Sequence, residues 1–233
     1  MNLFFKYIHH FIELIYPNNC YACGAALQKG EEIICTKCLY NLPKTHYHKT
    51  PEQNPVAELF YGLTSIKYAT AYYVFDKGSI YRPLIHHLKY KNAPEIGVGM
   101  GKYFGGELNG SAFDEIDLLV PVPLHPAKKR IRGYNQSDAI VAGMSESTGI
   151  EADYKSLIRH VFTETQTKKN LTERRENVKS VFAVKNPEAF KGKHVLIIDD
   201  VVTTGSTLVA CADEILKIPG TTVSIACLAV AKH

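Results

Sequence analysis

The stretch Val195-Leu196-Ile197-Ile198-Asp199-Asp200-Val201-Val202-Thr203-Thr204-Gly205-Ser206-Thr207 decides how this chain is read. It opens with four consecutive aliphatic residues, a pattern that suits a strand buried on both faces within a parallel sheet. Two carboxylates stand where such a strand ends, the place at which open α/β sheets bind their ligands. A turn rich in Thr, Gly and Ser follows. Leu208, Ala212, Ile215 and Leu216 then recur at helical spacing, so a helix is expected from Ser206 or Thr207.

Strand, turn and helix N-terminus together make an anion site, because the first N–H groups of a helix are unpaired and carry partial positive charge. Gly205 allows close approach of backbone to a phosphate, and Thr203, Thr204, Ser206 and Thr207 bring hydroxyl donors. Asp199 and Asp200 repel a phosphate but can accept hydrogen bonds from two neighbouring hydroxyls or help to hold Mg²⁺. The ligand described is a sugar 5-phosphate. A buried strand followed by a capped helix would explain the apolar run and the turn, but it does not call for adjacent acids.

This run resembles the binding signature of type I phosphoribosyltransferases. The resemblance implies that Asp199 and Asp200, the candidate catalytic residues, hold the ribose hydroxyls of phosphoribosyl pyrophosphate and that Thr203 to Thr207 cradle its 5′-phosphate, with Val201 and Val202 completing the binding run.

Composition sets the frame. A chain of 233 residues, 45% apolar and 21% charged, can build one main domain with a small appendage. The net charge of +4 does not by itself mark a nucleic-acid binder. Four of the six cysteines lie between Cys20 and Cys38, as Cys20-x-x-Cys23 and Cys35-x-x-Cys38. Two such pairs suit one tetrahedral Zn²⁺, and four thiolates leave no open position, so the expected ion is structural. Two disulfides are the competing explanation, disfavoured by a reducing compartment. Cys211 and Cys227 sit in apolar surroundings and are expected to pack.

Residues 2–16 have the pattern of an amphipathic helix, interrupted by Lys6, His9, His10 and Glu13 and lacking a small-residue cleavage site; a cytoplasmic protein without a transmembrane segment is expected. Residues 1–58 are read as this helix, the zinc module and a proline-containing linker over 43–58. Residues 59–233 are read as the main domain. Its expected strands are 66–75, 116–122, 157–162, 181–184 and 223–230, beside the strand at 195–198. Its expected helices are 79–90, 96–108 and one opening at 133–136 and running to about 147, and the basic character around Lys89 is taken as a solvated face unless it borders the site.

After the strand at 116–122, the stretch 124–136 is strongly basic, with Lys128, Lys129, Arg130 and Arg132 and no acid between His125 and Gln136. It is a second candidate anion site, and the resemblance assigns such a place to pyrophosphate. Leu124, His125, Lys129, Arg130 and Arg132 are the candidate ligands, Arg130 and Arg132 foremost. The polar stretch containing Gln166, Lys168 and Arg174 is a candidate hood that would close over substrate and exclude water.

Taken together, the motifs resemble the ComF family, whose members act in natural transformation. The resemblance is carried by Pro17 with the cysteine pairs, Leu42-Pro43, Val120-Pro-Val-Pro-Leu-His125, Arg132-Gly-Tyr-Asn-Gln136, Gln166-Thr167 with Leu171, Arg174 and Asn177, and Asp199 to Thr207. It implies an α/β fold of the type I phosphoribosyltransferase kind, a mainly parallel sheet flanked by helices, with a small N-terminal Cys₄ zinc module. It further implies phosphoribosyl pyrophosphate with Mg²⁺ as ligand, and single-stranded DNA and other DNA-uptake proteins as partners. An active phosphoribosyltransferase and a binding protein that reuses the fold both remain open. Basic segments at 128–132 and 168–175, with Tyr134 for stacking, would serve the latter.

Overall fold

A computed structural model describes residues 18–76, 78–159 and 181–232. The expected helix at 2–16 and the hood residues Gln166, Lys168 and Arg174 lie outside the described residues. In chain order the elements are α1 (Thr36–Tyr40), α2 (Pro55–Glu58), β1 (Ala69–Phe75), α3 (Arg82–Tyr90), α4 (Pro94–Leu108), β2 (Leu118–Pro121), α5 (Pro126–Arg132), α6 (Gln136–Thr148), β3 (Leu157–Arg159), β4 (Phe182–Val184), β5 (His194–Val202), α7 (Ser206–Leu216) and β6 (Thr222–Ala231).

Four strands form a parallel sheet in the order β1-β6-β5-β2, with Ile197 opposite Ile225 and Val120 opposite Ile197. β5 and β6 are central, which accounts for their unbroken apolar character. The pleat sends Leu196 and Ile198 to a layer with Leu88, Met100, Phe104, Ile140 and Met144, and Val195 and Ile197 to one with Phe60, Leu208, Cys211 and Ile215. Cys211 and Cys227 are fully buried, as their sequence context predicts. β3 and β4 pair antiparallel as a separate ribbon.

The sheet edges are covered. Along β1, Thr45 N–H donates to Tyr72 O at 3.0 Å, Val74 N–H to Pro43 O at 2.9 Å and Ala69 N–H to Pro51 O at 2.9 Å. Asn54 accepts from the Val56 and Ala57 N–H groups at the start of α2 and donates to Ala69 O at 2.9 Å. The stretch at 43–58, read as a linker from its prolines and polarity, thus hydrogen-bonds the outer strand and removes a bare edge. Proline supplies carbonyls without N–H groups of its own, so it can cap an edge strand without extending the ladder. At the other edge, Leu119 exchanges hydrogen bonds with Glu151 and Asp153.

The glycines of α4 are explained by its packing on α6. A Cβ on Gly101 would lie 2.3 Å from Ile140 O, and one on Gly143 1.9 Å from Val98 O. Gly99 has the same relation to the N-terminal module, since its Cβ would lie 2.3 Å from Ile33 Cγ1. Cys20, Ile33, Ile34, Cys38 and Leu42 share one apolar core with α3 and α4.

Candidate functional site

β5 runs through both acids to Val202 rather than stopping before them, with Asp199 opposite Cys227 and Val201 opposite Ala229. The acids are therefore held by ladder hydrogen bonds, not by a loose loop. Asp200 is buried, on the face shared with Leu196 and Ile198, and Lys89 at the end of α3 meets it, Nζ to Oδ1 2.9 Å. Asp199 accepts from Ser137 Oγ at 3.0 Å and from the Asp200 N–H at 2.8 Å. Burial and the neighbouring charge of Asp200 push the Asp199 carboxyl up to about 7, against the hydrogen bonds and Lys89, which act the other way.

Beyond Val202 the chain enters the turn. Gly205 takes φ +74°, in the left-handed region, and a Cβ there would meet Phe60 Cε1 at 3.0 Å. Glycine is thus required twice, by conformation and by contact. α7 begins at Ser206 with no side-chain cap on its first N–H groups. Thr203, Thr204, Ser206 and Thr207 are exposed around that end, with Thr204 Oγ1 and Ser206 Oγ 3.1 Å apart. An uncapped helix end ringed by hydroxyls, one strand end away from two carboxylates, can take a phosphate on one side and sugar hydroxyls on the other.

The basic stretch at 124–136 contains α5. His125 Nδ1 accepts from Ala127 N–H at 3.2 Å and Gly133, at φ +83°, ends the helix. Proline at the first helical position and glycine just past the last explain why this charged run winds up. Leu124 is half-buried, while Lys128, Lys129 and Arg130 are exposed. Lys129 faces Asp138 at 3.6 Å. Arg132 donates to Gln136 Oε1 at 2.6 Å and lies over the Tyr90 ring, 5.5 Å from its centroid. Tyr134 gives its hydroxyl to Leu88 O and is half-buried, and Asn135 donates to Val122 O at 3.0 Å. The Arg132-Gly-Tyr-Asn-Gln136 run therefore joins α5, α6, the end of β2 and α3, while Arg130 on α5 is exposed and makes no ion pair among the described residues.

Lys89 and Ser137 are additions of the tertiary structure. Lys89 belongs to a basic region that the sequence reads as solvated unless it borders the site, which it does here, and Ser137 carries no motif of its own. Only helix packing brings them to the acids.

In the N-terminal module, the four cysteine Sγ atoms all lie within 4.8 Å of one another and none is in a disulfide. Cys23 and Cys35 Sγ are 3.8 Å apart. Zn–S bonds of about 2.3 Å place neighbouring sulfurs of a tetrahedron about 3.8 Å apart, so the set fits a zinc ion. Burial at Cys20 is outweighed by hydrogen bonds from the backbone of Cys23, Cys35 and Ala22, which bring its thiol to about 7, whereas burial and then the neighbouring thiols push Cys38 up, so the four crowded sulfurs become thiolates together only with a cation between them. No helix among the described residues is long and apolar enough to cross a membrane.

The comparisons with known proteins agree with this geometry. Residues 125–233 match the Phosphoribosyl transferase domain family. The chain is 28% identical over 221 residues to the DNA utilization protein YhgH of Shigella flexneri, covering 90% of this chain and 88% of that protein. It is 32% identical over 149 residues to YhgH of Salmonella typhimurium strain LT2, covering 62% and 65%. It is 34% identical over 94 residues to Competence protein F of Haemophilus influenzae strain Rd, covering 40% and 41%. With its parallel sheet and the turn that follows β5, the main domain is of the phosphoribosyltransferase type. It carries a Cys₄ cluster on its N-terminal side. The chain is thus similar to proteins named for DNA utilization and competence and carries a phosphoribosyltransferase-type domain, in keeping with the resemblance of its motifs to the ComF family.

Proposed function

We propose that this chain binds phosphoribosyl pyrophosphate with Mg²⁺ and acts in natural transformation, in the uptake and handling of single-stranded DNA within the cytoplasm, with one structural zinc held by Cys20, Cys23, Cys35 and Cys38. The observation that carries the ligand assignment is the uncapped, hydroxyl-ringed N-terminus of α7 beside the acids of β5. The 5′-phosphate sits on Thr203 to Thr207 and the ribose hydroxyls on Asp199 and Asp200. The pyrophosphate faces Arg130, with Leu124, His125, Lys129 and Arg132 around it. Mg²⁺, which Asp199 and Asp200 would help to hold, would supply countercharge to the bound pyrophosphate. Lys89 keeps Asp200 oriented and brings a cation to the same end of the sheet. The DNA-uptake role is supported by the relatives named for DNA utilization and competence.

Titration calorimetry with phosphoribosyl pyrophosphate, with and without Mg²⁺, tests the ligand. Asp199→Asn and Asp200→Asn are each expected to weaken binding roughly ten- to a hundredfold, the loss of a hydrogen bond to a charged acceptor. Equal binding by wild type and both variants would remove the ribose assignment. Affinity should also depend on pH. A carboxyl raised to about 7 is protonated below that pH, where it accepts hydrogen bonds from hydroxyls poorly. Wild-type affinity should therefore climb by up to about tenfold per unit towards pH 7 and level off above it. Asp199→Asn should lack that part of the slope, which separates it from titration of the ligand itself. The sign for folding is opposite: a carboxyl raised in the folded state contributes stability at low pH, and this is lost as pH rises through about 7.

A second reading, a non-catalytic DNA- or partner-binding protein on the same fold, is favoured by one surface. Tyr90 is 65% exposed, flanked by the His86 ring at 5.3 Å and Arg132, with the cations of α5 alongside. It is a better stacking platform than Tyr134, whose hydroxyl is spent on Leu88. Single-strand binding should weaken steeply with salt and fall by several-fold or more in Tyr90→Ala, since stacking contributes about 1–3 kcal/mol per base. Affinity that is flat across salt and indifferent to Tyr90 would remove this surface from consideration.

A further inference from the structure

We infer that His46, His48 and Glu107 form a second metal site, separate from the four cysteines, which takes a divalent transition ion, zinc foremost, and leaves a coordination position open. One donor atom from each of the three lies within 4.8 Å of the others. Two imidazoles and a carboxylate are a ligand set suited to zinc, and three protein ligands leave room for water or another small donor. Zn–N distances of about 2.0–2.1 Å would draw the donors to about 3.3 Å from one another. That adjustment is open to His46, which is exposed, and to His48 and Glu107, which are half-buried.

The chain brings these groups together from distant places. Glu107 lies in the last turn of α4. His46 and His48 flank Tyr47 where the chain makes a single 3₁₀ turn, Tyr47–Lys49. Tyr47 packs against the core, and the rings of its two neighbours, His46 exposed and His48 half-buried, stand 6.1 Å apart. His46 holds φ +56°, and only Asn92 among the other described non-glycine residues has a positive φ. An L residue avoids that conformation, yet here it sets the first imidazole beside the second.

Lys44 makes the site unlike the cysteine cluster. Its ammonium pairs with Glu107 and stands 5.5 Å from the centre of the Tyr72 ring. An entering cation meets that charge, so this ion binds more weakly than the one held by four thiolates and exchanges with the medium. When bound, it ties the segment after the Cys₄ module to the C-terminal end of α4. Free zinc would thereby stiffen the joint between module and main domain.

The test uses the full chain with its cysteine site loaded, equilibrated with buffered free zinc and, separately, with Co²⁺. Wild type is expected to hold two metal equivalents per chain. His46→Ala, His48→Ala and Glu107→Gln should each hold one. Cobalt distinguishes the sites, because thiolate ligation gives intense near-ultraviolet charge-transfer bands and an imidazole–carboxylate site gives none. Those bands should be unchanged in the three variants, which also shows that the module remains folded. Lys44→Met should bind the second equivalent about tenfold more tightly, as expected from removal of a nearby like charge. His86→Ala with His87→Ala, an imidazole pair elsewhere on the surface, should keep both equivalents. A wild type saturating at one equivalent, a second equivalent that survives His46→Ala with His48→Ala, or one lost instead with His86 and His87 would overturn the inference.

Discussion

Cys20→Ser with Cys38→Ser, or removal of the ion by a chelator, is expected to lower the melting temperature of the whole protein by about 10–20 °C, not merely to loosen its N-terminal module. The reason lies in what the cysteines are packed into. Cys20 and Cys38 are 2% and 4% exposed and belong to the same core as Tyr72, Leu88 and Met100. Tyr81 of the main domain donates its hydroxyl to Cys38 O at 3.0 Å, and Tyr21 of the module donates to Glu95 Oε1 at 2.6 Å. Structural zinc contributes on the order of 10 kcal/mol to the folding of small modules. If about 5 kcal/mol of that reaches the shared core, the shift follows from about 2–4 °C per kcal/mol for a chain of this size. Far-ultraviolet circular dichroism and tyrosine fluorescence should melt together in the metal-free protein. Two transitions, with the upper one where the wild type melts, would mean that the module is energetically separate. About one tightly held zinc per chain is expected in the purified protein, and a metal site left intact by Cys20→Ser with Cys35→Ser would overturn the ligand assignment.

The second large effect is expected from one methyl group. Gly143→Ala places a Cβ 1.9 Å from Val98 O, 2.8 Å from Val98 C and 2.9 Å from Lys102 N. All three atoms are backbone of α4, so no side chain can rotate aside and the helices themselves must separate. Their contact also seats the start of α6, where Ser137 reaches Asp199. Overpacking in a close-packed interior typically costs about 1–3 kcal/mol, and a clash with backbone belongs at or above the top of that range. A loss of about 3 kcal/mol corresponds to a fall of about 6–12 °C. Gly106→Ala is the matched control. It lies in α4 on an exposed face with nothing within 4 Å of its Cβ, and helix propensity alone should stabilise it by up to about 1 kcal/mol. Thermal melts that leave Gly143→Ala level with wild type would show that α4 and α6 have more room than this packing allows.

These two effects differ in how far the sequence foretells them. The cysteine pairs announce themselves because metal ligation imposes fixed residue types at fixed spacing. That the module they build shares its core with α4 is invisible in sequence, since the contact is between Ile33 and Gly99, residues without a local pattern in common. The glycines of α4 act in the opposite direction. They weaken the local helix signal, and only the tertiary structure shows that Gly97, Gly101 and Gly105 are there for closeness to α6 and Gly99 for closeness to Ile33, while Gly106 meets nothing. The segment at 43–58 carries prolines and polar residues as a free linker would, but its backbone groups are spent on β1. Local composition cannot distinguish a proline in solvent from one capping a sheet edge.

The same division runs through the candidate site. Sequence by itself determined the acids of β5, the turn at Gly205 and the Cys₄ cluster, because each depends on a short run in which neighbours along the chain are neighbours in space, and the unbroken apolar run of β5 marked a buried parallel strand without giving the order β1-β6-β5-β2. Tertiary structure alone decided that Lys89 pairs with Asp200, that Ser137 reaches Asp199, that Arg132 is turned towards Gln136 and Tyr90, and that His46, His48 and Glu107 converge. Those meetings are set by how α3, α4 and α6 pack over the sheet, which is a property of many weak contacts between distant segments and leaves no signature in any one of them.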